Sequence, residues 1–398
     1  MFENCEDDVT LKKCVAGLSF LAQLADKYNI PEILNSIIRV GFRSSGLLSV
    51  SEDKGKNRSI LEFGRGRKTR IAFLFSSNCL NSYGNIVAYD SLVDILRRLF
   101  SLGVLPDIWD GRVKKLEFPK KEAEQERGLF STLGQFLSTV ASGMDDYPPT
   151  SEDLEHLSAG RKILEDFVGS WLAEAGKFLD GDGVKRVIEA LQSSTFEMEK
   201  VEATSSPIEG VKKEEQEPLK KEEAEERKVL SPYALLNVEL VFTVLEKNKD
   251  RVETIWDRCD AYFEDTMKVA STMGGNIGSL VNGNILAGLA RLLGRIDSQT
   301  VGERLLFLIS KYSNLLESKE PFLISIGSYL KTQKPKDETV RILLSLISNS
   351  TSSMKPAFDA LGYISEYVEK EWFGEVIDMY SAFIGYSAGS EKDRRMKS

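Results

Sequence analysis

The chain has 398 residues, a formal net charge of −9 and an isoelectric point near 5.1. This length exceeds one ordinary hydrophobic core and favours several domains or one long array of repeats. The acidic balance excludes a general nucleic-acid binder, because phosphate contacts need a clustered positive face, so any basic site has to be local.

Cysteine and histidine usage argues against a chemical centre. His156 is the single imidazole, and the four cysteines lie far apart in the sequence, at Cys5, Cys14, Cys79 and Cys259. Neither a zinc site nor a nucleophilic triad can be assembled from this set, so we predict no metal, no cofactor and no catalytic residue. Scattered thiols, an acidic N-terminus and the lack of an apolar run of about 18 residues predict a cytoplasmic protein with at most peripheral membrane contact.

Helical periodicity runs through the first part of the chain, residues 1–195, which we predict to be one helical block. Apolar residues from Val9 to Tyr28 recur at steps of three and four, and Pro31 suits the first turn of the next helix. Thr150 and the acidic residues after it are typical of a helix N-terminus. Further helices are predicted over about 66–83, 90–103, 127–142, 152–178 and 183–194. Alternation of the kind that strands show is not convincing anywhere.

The composition changes between residues 196 and 230. From Glu197 to Lys228 there are eleven acidic and seven basic residues among 32, with no aromatic residue. Such a segment cannot bury enough apolar surface to offset the entropy of ordering it. We therefore predict an acidic disordered linker, within which Leu219–Arg227 can form a short solvated helix.

A second helical block is predicted over residues 231–386, followed by a disordered tail at 387–398. Ser231 and Pro232 open the block, and helical periods follow at about 232–247, 249–271, 280–295, 298–316, 320–331, 336–348, 354–368 and 370–385. The pairing and length of these helices predict an all-α fold, a HEAT- or armadillo-like α-solenoid, although no strict sequence repeat is visible.

Three groups of residues carry a family resemblance. The first is Phe63, Gly64, Lys68, Ala72, Leu74, Phe75, Gly84, Leu96, Leu105 and Pro106; the second is Glu246–Val252 with Ile255 and Trp256; the third is Gly288–Leu293. In this order they resemble the helical region downstream of the catalytic domain in Golgi-type large Arf guanine-nucleotide exchange factors, the Gea/GNOM class.

The resemblance implies a scaffold role. Exchange factors of this family release GDP from Arf with a glutamate from a separate helical domain, which has no counterpart here, so no catalytic residue is carried over. The implied role is membrane recruitment, partner binding or regulation of Arf activation in ER–Golgi vesicle traffic. Implied partners are Arf or Rab family small GTPases or coat-related proteins, and the implied location is at Golgi or early secretory membranes.

Two alternatives to this interpretation stay open. The chain can be a stand-alone helical-repeat interaction scaffold unrelated to Arf. It can also be part of a full-length exchange factor whose catalytic domain lies upstream. The sequence does not fix the oligomeric state.

The stretch from Gly128 to Gly143 is a candidate lipid-packing helix. Its sixteen residues carry no charge, and a Ser/Thr-rich face lies opposite an apolar one formed by Leu129, Phe130, Leu133, Phe136, Leu137 and Val140. A bulky apolar stripe without basic residues depends on packing defects in a bilayer. The alternative is an ordinary repeat helix that faces the core.

The densest cationic cluster is Arg65, Arg67, Lys68 and Arg70, interleaved with Gly64 and Gly66. Guanidinium groups in this arrangement suit phosphoinositide headgroups or acidic partner surfaces. The alternative is a solvated loop that leads into a helix. The spacing does not fit a P-loop, which needs a glycine directly before the lysine.

Three further features are assigned structural roles. The glycine-rich run Met273–Gly278 is predicted to be a flexible turn between helices. The tryptophans Trp171, Trp256 and Trp372 are expected to anchor neighbouring helices, whereas Trp109 is expected to be partly exposed. His156 is predicted to lie on the surface.

Overall fold

A computed structural model describes residues 7–48, 56–105, 150–174, 177, 179–201, 225–273, 275–315, 320–334, 336–348, 354–365, 372, 374 and 376–381. Within these ranges the fold is all-α apart from one short two-stranded ribbon, which confirms the predicted class. The helices of the first half are α1 (Asp8–Lys27), α2 (Pro31–Ser44), α3 (Lys56–Arg65), α4 (Arg67–Tyr83), α5 (Asp90–Ser101), α6 (Ser151–Glu174) and α7 (Gly181–Ser193).

The second half continues with a ribbon and then helices. The ribbon consists of β1 (Phe196–Val201) and β2 (Glu225–Leu230). The helices are α8 (Ala234–Lys247), α9 (Val252–Met273), α10 (Gly275–Leu293), α11 (Gln299–Lys311), α12 (Glu320–Thr332), α13 (Asp337–Ser348) and α14 (Met354–Ser365).

The helix starts follow from local side-chain chemistry. Pro31 occupies the first turn of α2, where a missing N–H costs nothing. At the start of α6 the backbone N–H of Asp153 donates to Thr150 Oγ1 at 3.2 Å, and the N–H of Thr150 donates to Asp153 Oδ2 at 3.1 Å. This reciprocal capping satisfies two donors that the helix leaves free, and it confirms the predicted N-terminus.

The helices lie in two rows. In the first row each of α2, α5, α7, α9, α11 and α13 contacts the next, and in the second row α4, α6, α8, α10, α12 and α14 do the same. The two rows pack against each other, with α1 across α2 and α4, and α3 against α4 and α6. Most of the described helices bury one stripe between their neighbours, whereas α8 is buried on nearly all sides. Stacked rows of this kind are the packing of an α-solenoid.

One hydrophobic core joins the two predicted blocks. It extends from Ala22 in α1 to Val376, and α7 contacts both α8 and α9. At the junction Thr195 Oγ1 and Tyr262 Oη lie 2.9 Å apart, and Gln192 Nε2 donates to the carbonyl of Arg258 at 3.3 Å. The two blocks therefore form one continuous array within the described residues.

The structure corrects the predicted linker at both ends. Strands β1 and β2 pair antiparallel, with Phe196 opposite Leu230 and Val201 opposite Glu225, so the short solvated helix predicted over Leu219–Arg227 is wrong for its last residues. Leu230 is buried and the ring of Phe196 lies 6.4 Å from that of Tyr262. These two apolar residues lie at the ends of a highly charged segment. The average composition of that segment predicts disorder and does not reveal them. Residues 202–224 lie outside the described part of the chain.

Helix α3 was not predicted, and α10 starts earlier than predicted. The glycine run, predicted as a flexible turn, belongs to the first turns of α10 from Gly275 onwards. A methyl group on Gly278 would lie 2.4 Å from the carbonyl oxygen of Ala270 in α9. The missing side chain thus allows α9 and α10 to approach closely, and this close approach is the physical reason for the glycine.

Candidate functional site

The cationic cluster lies at the junction between α3 and α4, not in a loop. Arg65 is the last residue of α3, Arg67 is the first of α4, and Gly66 alone separates the helices. Thr69 Oγ1 lies 2.6 Å from the carbonyl oxygen of Gly66 and 2.9 Å from that of Phe63, which closes this junction.

Arg65 and Arg67 are engaged by acidic residues of other helices. The guanidinium of Arg65 pairs with Asp153 in the first turn of α6, and that of Arg67 pairs with Asp8 in the first turn of α1. The hydrogen bond from Arg65, and after it those from Thr150, hold the pKa of Asp153 below its ordinary value. An anion that binds here has to compete with two carboxylates, so headgroup binding by this cluster stays a prediction.

A close helix crossing lies directly behind this junction. A methyl group on Gly64 would lie 2.0 Å from the carbonyl oxygen of His156, and Gly160 faces Gly64 from α6. The crossing brings the start of α6 within reach of Arg65. His156 is about one-third exposed, with Nε2 3.5 Å from Glu152, and its backbone forms part of the contact.

Most residues that carry the family resemblance belong to the core. In the first group Phe63, Ala72, Phe75 and Leu96 are buried, and the rings of Phe63 and Phe73 lie 5.5 Å apart. The second and third groups meet in space: Glu246 Oε1 lies 3.5 Å from Arg291 Nε. Gly288 lies under the ring of Phe242, where a methyl group would be 2.1 Å away. Packing accounts for these residues.

Leu74 belongs to the same resemblance, yet its exposed fraction is 44%. It lies in a groove of about 420 Å³ between α1 and α4, which we call the α1–α4 groove. The lining is largely apolar with a polar minority, and consists of Val15, Ser19, Ala22, Gln23, Ile71, Leu74, Phe75, Asn78, Cys79, Ser82 and Tyr83. Phe20 and Leu21 of α1 are also largely exposed. This end of the array therefore presents an apolar surface to solvent.

Cys79, which lines the α1–α4 groove, is not activated as a nucleophile. Burial raises the pKa of the Cys79 thiol to about 11, so the thiol is neutral at physiological pH. Cys259 is fully buried in α9 and its pKa is raised for the same reason. Sequence reasoning missed the groove because its apolar lining from α1, which includes Val15 and Ala22, follows the same three- and four-residue steps as a buried helix face.

The remaining predicted sites have varied outcomes. The candidate lipid-packing helix at 128–143 and Trp109 lie outside the described residues. Trp171, Trp256 and Trp372 are buried as expected, and Trp256 lies 6.2 Å from the ring of Phe263.

Among the described residues no group of three or more His, Cys, Asp or Glu side chains has metal-ligand geometry, and no described helix is long and apolar enough to cross a bilayer.

Comparison with known proteins gives one informative similarity. Over 214 residues the chain is 22% identical to the ARF guanine-nucleotide exchange factor GNL1 of Arabidopsis thaliana. The match takes in 48% of this chain and 15% of that protein. No protein-family model matches the chain. The similarity supports a relationship to large Arf exchange factors at a general level.

Proposed function

We propose that this chain is a non-catalytic scaffold of the Golgi-type Arf exchange-factor class, which binds partners and regulates Arf activation in ER–Golgi vesicle traffic. The similarity to the Arabidopsis exchange factor is the observation that carries the proposal. The chain spans about a seventh of that relative's length, so the activity and partners of a whole exchange factor are part of the proposal. The two-row array supports it, because a solenoid offers a long surface for partners.

The α1–α4 groove is the proposed partner surface, and its proposed occupant is an amphipathic helix of a protein partner. Packing does not account for Leu74, which is exposed within the groove although it belongs to the family resemblance. A cleft between two helices, lined by apolar side chains with polar ones among them, suits a helix that buries residues at three- and four-residue steps.

Binding and exchange assays with purified Arf test the proposal. We expect the chain alone to leave GDP release from Arf unchanged. We expect it to bind Arf, or to change the rate at which an exchange domain on a separate chain acts on Arf. Stimulation of release by the purified chain alone would contradict the non-catalytic role. An inert chain in all of these assays would contradict the Arf relationship.

Leu74→Glu places a charge in the groove without opening the core. We expect this variant to lose Arf or exchange-domain binding by about tenfold or more, since burial of an unpaired charge is strongly unfavourable. Phe307→Glu is the matched control, because Phe307 is 58% exposed on α11, far along the array. Equal binding by both variants would eliminate the groove as the partner surface.

The principal alternative is a stand-alone helical-repeat scaffold unrelated to Arf. One observation favours it: most residues that carry the resemblance are buried, and solenoid packing alone can produce such a pattern. A further alternative, a full-length exchange factor with its catalytic domain upstream, is distinguished by an in-frame upstream coding segment.

Membrane recruitment through residues 128–143 is a separate part of the proposal. It is carried by the uncharged apolar face that includes Phe136 and Leu137. We expect Phe136→Glu to abolish flotation with vesicles that have packing defects while the melting temperature stays unchanged. Loss of folding in this variant would instead assign the segment to the core.

A further inference from the structure

A second pocket, on the first row of helices, is lined by four arginines. Its volume is about 420 Å³, and we call it the arginine pocket. Arg39 and Arg43 come from α2, and Arg97 and Arg98 come from α5. The other lining residues are Leu48, Ser91, Asp94, Ser101 and Tyr233. The pocket therefore combines guanidinium groups with three hydroxyl groups.

The inner arginines are held in place by the fold. Arg98 Nε donates to the carbonyl of Leu47 at 3.0 Å, and Arg97 donates to the carbonyl of Ser194. The guanidinium carbon of Arg97 lies 5.4 Å from the centre of the Tyr233 ring, and Tyr233 Oη lies 3.1 Å from Ser101 Oγ. The positions of these donors are thus fixed before any ligand arrives, which lowers the entropy cost of binding.

Within the described part of the chain the positive charge of the pocket is only partly offset, by the nearby carboxyl groups of Asp94 and Glu197. Among the described residues no carboxylate lies within 4.0 Å of any of the four guanidinium groups, although the chain as a whole carries a charge of −9. Asp94 is the single acidic residue in the lining, and burial raises its pKa. Arg97 Nε and Arg98 Nη2 are buried without an acceptor in the described part of the chain. Buried charged donors normally have partners.

We propose that the arginine pocket binds a phosphate-bearing anion, either a soluble inositol phosphate or the headgroup of a phosphoinositide. A carboxylate would offset one of the four cations, whereas phosphomonoesters each carry up to two negative charges and accept several charge-assisted hydrogen bonds. The hydroxyl groups of Ser91, Ser101 and Tyr233 supply further contacts for phosphate oxygens. This inference does not rest on the Arf relationship, and the pocket is separate from the α1–α4 groove.

Calorimetric titration with inositol 1,4,5-trisphosphate measures the affinity of the chain for a soluble inositol phosphate. Titration with inorganic sulfate is the nonspecific comparison. Flotation with phosphatidylcholine vesicles, with and without phosphatidylinositol 4-phosphate, measures headgroup binding. We expect the chain to bind at least one phosphate probe more tightly than sulfate, and binding to weaken as salt rises.

The double variant Arg39→Gln/Arg43→Gln removes two exposed guanidinium groups and leaves the core intact. We expect binding to weaken by about tenfold for each arginine lost, which corresponds to a charged hydrogen bond. Lys12→Gln/Lys13→Gln is the matched control, since it removes the same charge from exposed positions on α1. The control is expected to bind as the unmodified chain does.

Each outcome decides the proposal. Trisphosphate binding that the arginine variant loses supports a soluble ligand, and vesicle binding that this variant loses supports a lipid headgroup. Absence of binding to both phosphate probes overturns the proposal. Equal weakening in the arginine and lysine variants overturns it as well, because the effect then reflects net charge, and so does sulfate binding of equal strength.

Discussion

Glycines without a special backbone conformation fix how closely the helices of this protein approach. Gly64, Gly278 and Gly288 each lie under a neighbouring backbone or ring, at distances where a methyl group would clash. The sequence identified Gly64 and Gly288 as parts of family motifs but gave no reason for them. The structure supplies the reason for these two, because the contacting atoms belong to His156 and Phe242, on helices that are distant in sequence.

Replacement of Gly64 by alanine tests this interpretation. The added methyl group would lie 2.0 Å from a backbone carbonyl, so α3 and α6 have to separate. We expect Gly64→Ala to lower the free energy of unfolding by about 1–3 kcal/mol, as overpacked sites do. Urea denaturation followed by circular dichroism measures the change.

Gly169→Ala is the matched control for this prediction. Gly169 lies in α6 with nothing within 4 Å of the added methyl group. A helical glycine in open space is expected to gain about 0.5–1 kcal/mol on replacement by alanine. If Gly64→Ala is equally stabilising, the close crossing is not part of the folded protein.

Glu239 is a buried carboxylate that forms an ion pair between two helices of the array. Its side chain in α8 is 1% exposed and accepts a hydrogen bond from Arg291 Nη2 of α10 at 2.7 Å. We expect Arg291→Met to reduce stability by about 2–4 kcal/mol, because a buried carboxylate loses its ion pair with Arg291 while Arg291 itself is partly exposed. Chemical denaturation measures the loss.

Arg304→Met is the comparison, because Arg304 pairs with the largely exposed Asp257. An exposed pair is expected to contribute less than about 1 kcal/mol. The double variant Arg291→Met/Glu239→Gln should recover part of the loss, since it removes the buried charge. Equal effects of Arg291→Met and Arg304→Met would contradict the buried-pair interpretation.

At the scale of the elements, ion pairs link successive helices of the first row. They join Glu189 to Arg258, Asp257 to Arg304, Glu264 to Lys311 and Glu303 to Lys336. Three of these pairs connect a helix to the next helix along the row. The fourth connects Glu303 of α11 to Lys336, the residue directly before α13. The pairs are partly exposed, so each is expected to contribute less than about 1 kcal/mol to stability.

The pair between Glu264 and Lys311 predicts a pH effect. Hydrogen bonds from Lys311, at 2.6 Å, and then from Lys268 hold the pKa of Glu264 below its ordinary value of 4.5. A carboxyl group with a lowered pKa stabilises the fold above its unfolded pKa, and this contribution is lost as the pH falls through the folded pKa. We expect Lys311→Met to reduce stability at pH 7.

The difference between Lys311→Met and the unmodified chain should shrink as the pH falls below 4.5. Thermal unfolding across that range measures it. Lys12→Met is the control, because Lys12 is exposed on α1 and pairs with no carboxylate of the described residues. A difference that stays constant from pH 7 into acid would show that the pair does not contribute.

The ribbon is the element that sequence reasoning assigned wrongly. Phe196 and Met198 alternate with Glu197 and Glu199, which is a short strand pattern, but the segment is predicted as a linker from its composition alone. The pairing partner lies beyond residues 202–224, so a local pattern could not reveal it. The ribbon forms because β2 packs on α9, a contact that exists only in the folded array.

At the scale of the whole molecule, the shared core predicts that the two blocks stay together when the chain between them is cut. A protease site inserted within residues 202–224 should give two fragments that co-elute in size-exclusion chromatography. The physical reason is that α7 contacts both α8 and α9 through buried apolar side chains. We expect the fragments to separate only in denaturant, in one cooperative transition.

Replacement of Ile188 by aspartate is the companion variant for the cut chain. Ile188 is 1% exposed in α7, at the junction between the blocks. The cut variant should then release its fragments without denaturant, whereas Lys185→Asp, at a less buried position in the same helix, should not. Separation of the unmodified fragments in native buffer would restore the prediction of two independent blocks.

The sequence by itself determined the all-α class, most helix positions and the caps at Pro31 and Thr150, because periodicity and capping are local properties of neighbouring residues. Only the tertiary structure decided the order of the two rows, the close glycine crossings and the β1–β2 pairing. It also decided the surroundings of the arginines. Arg65 and Arg67 form ion pairs with Asp153 and Asp8, whereas the four arginines of the arginine pocket come together from α2 and α5. Contacts between distant residues depend on how the helices stack, and a linear pattern does not contain that information.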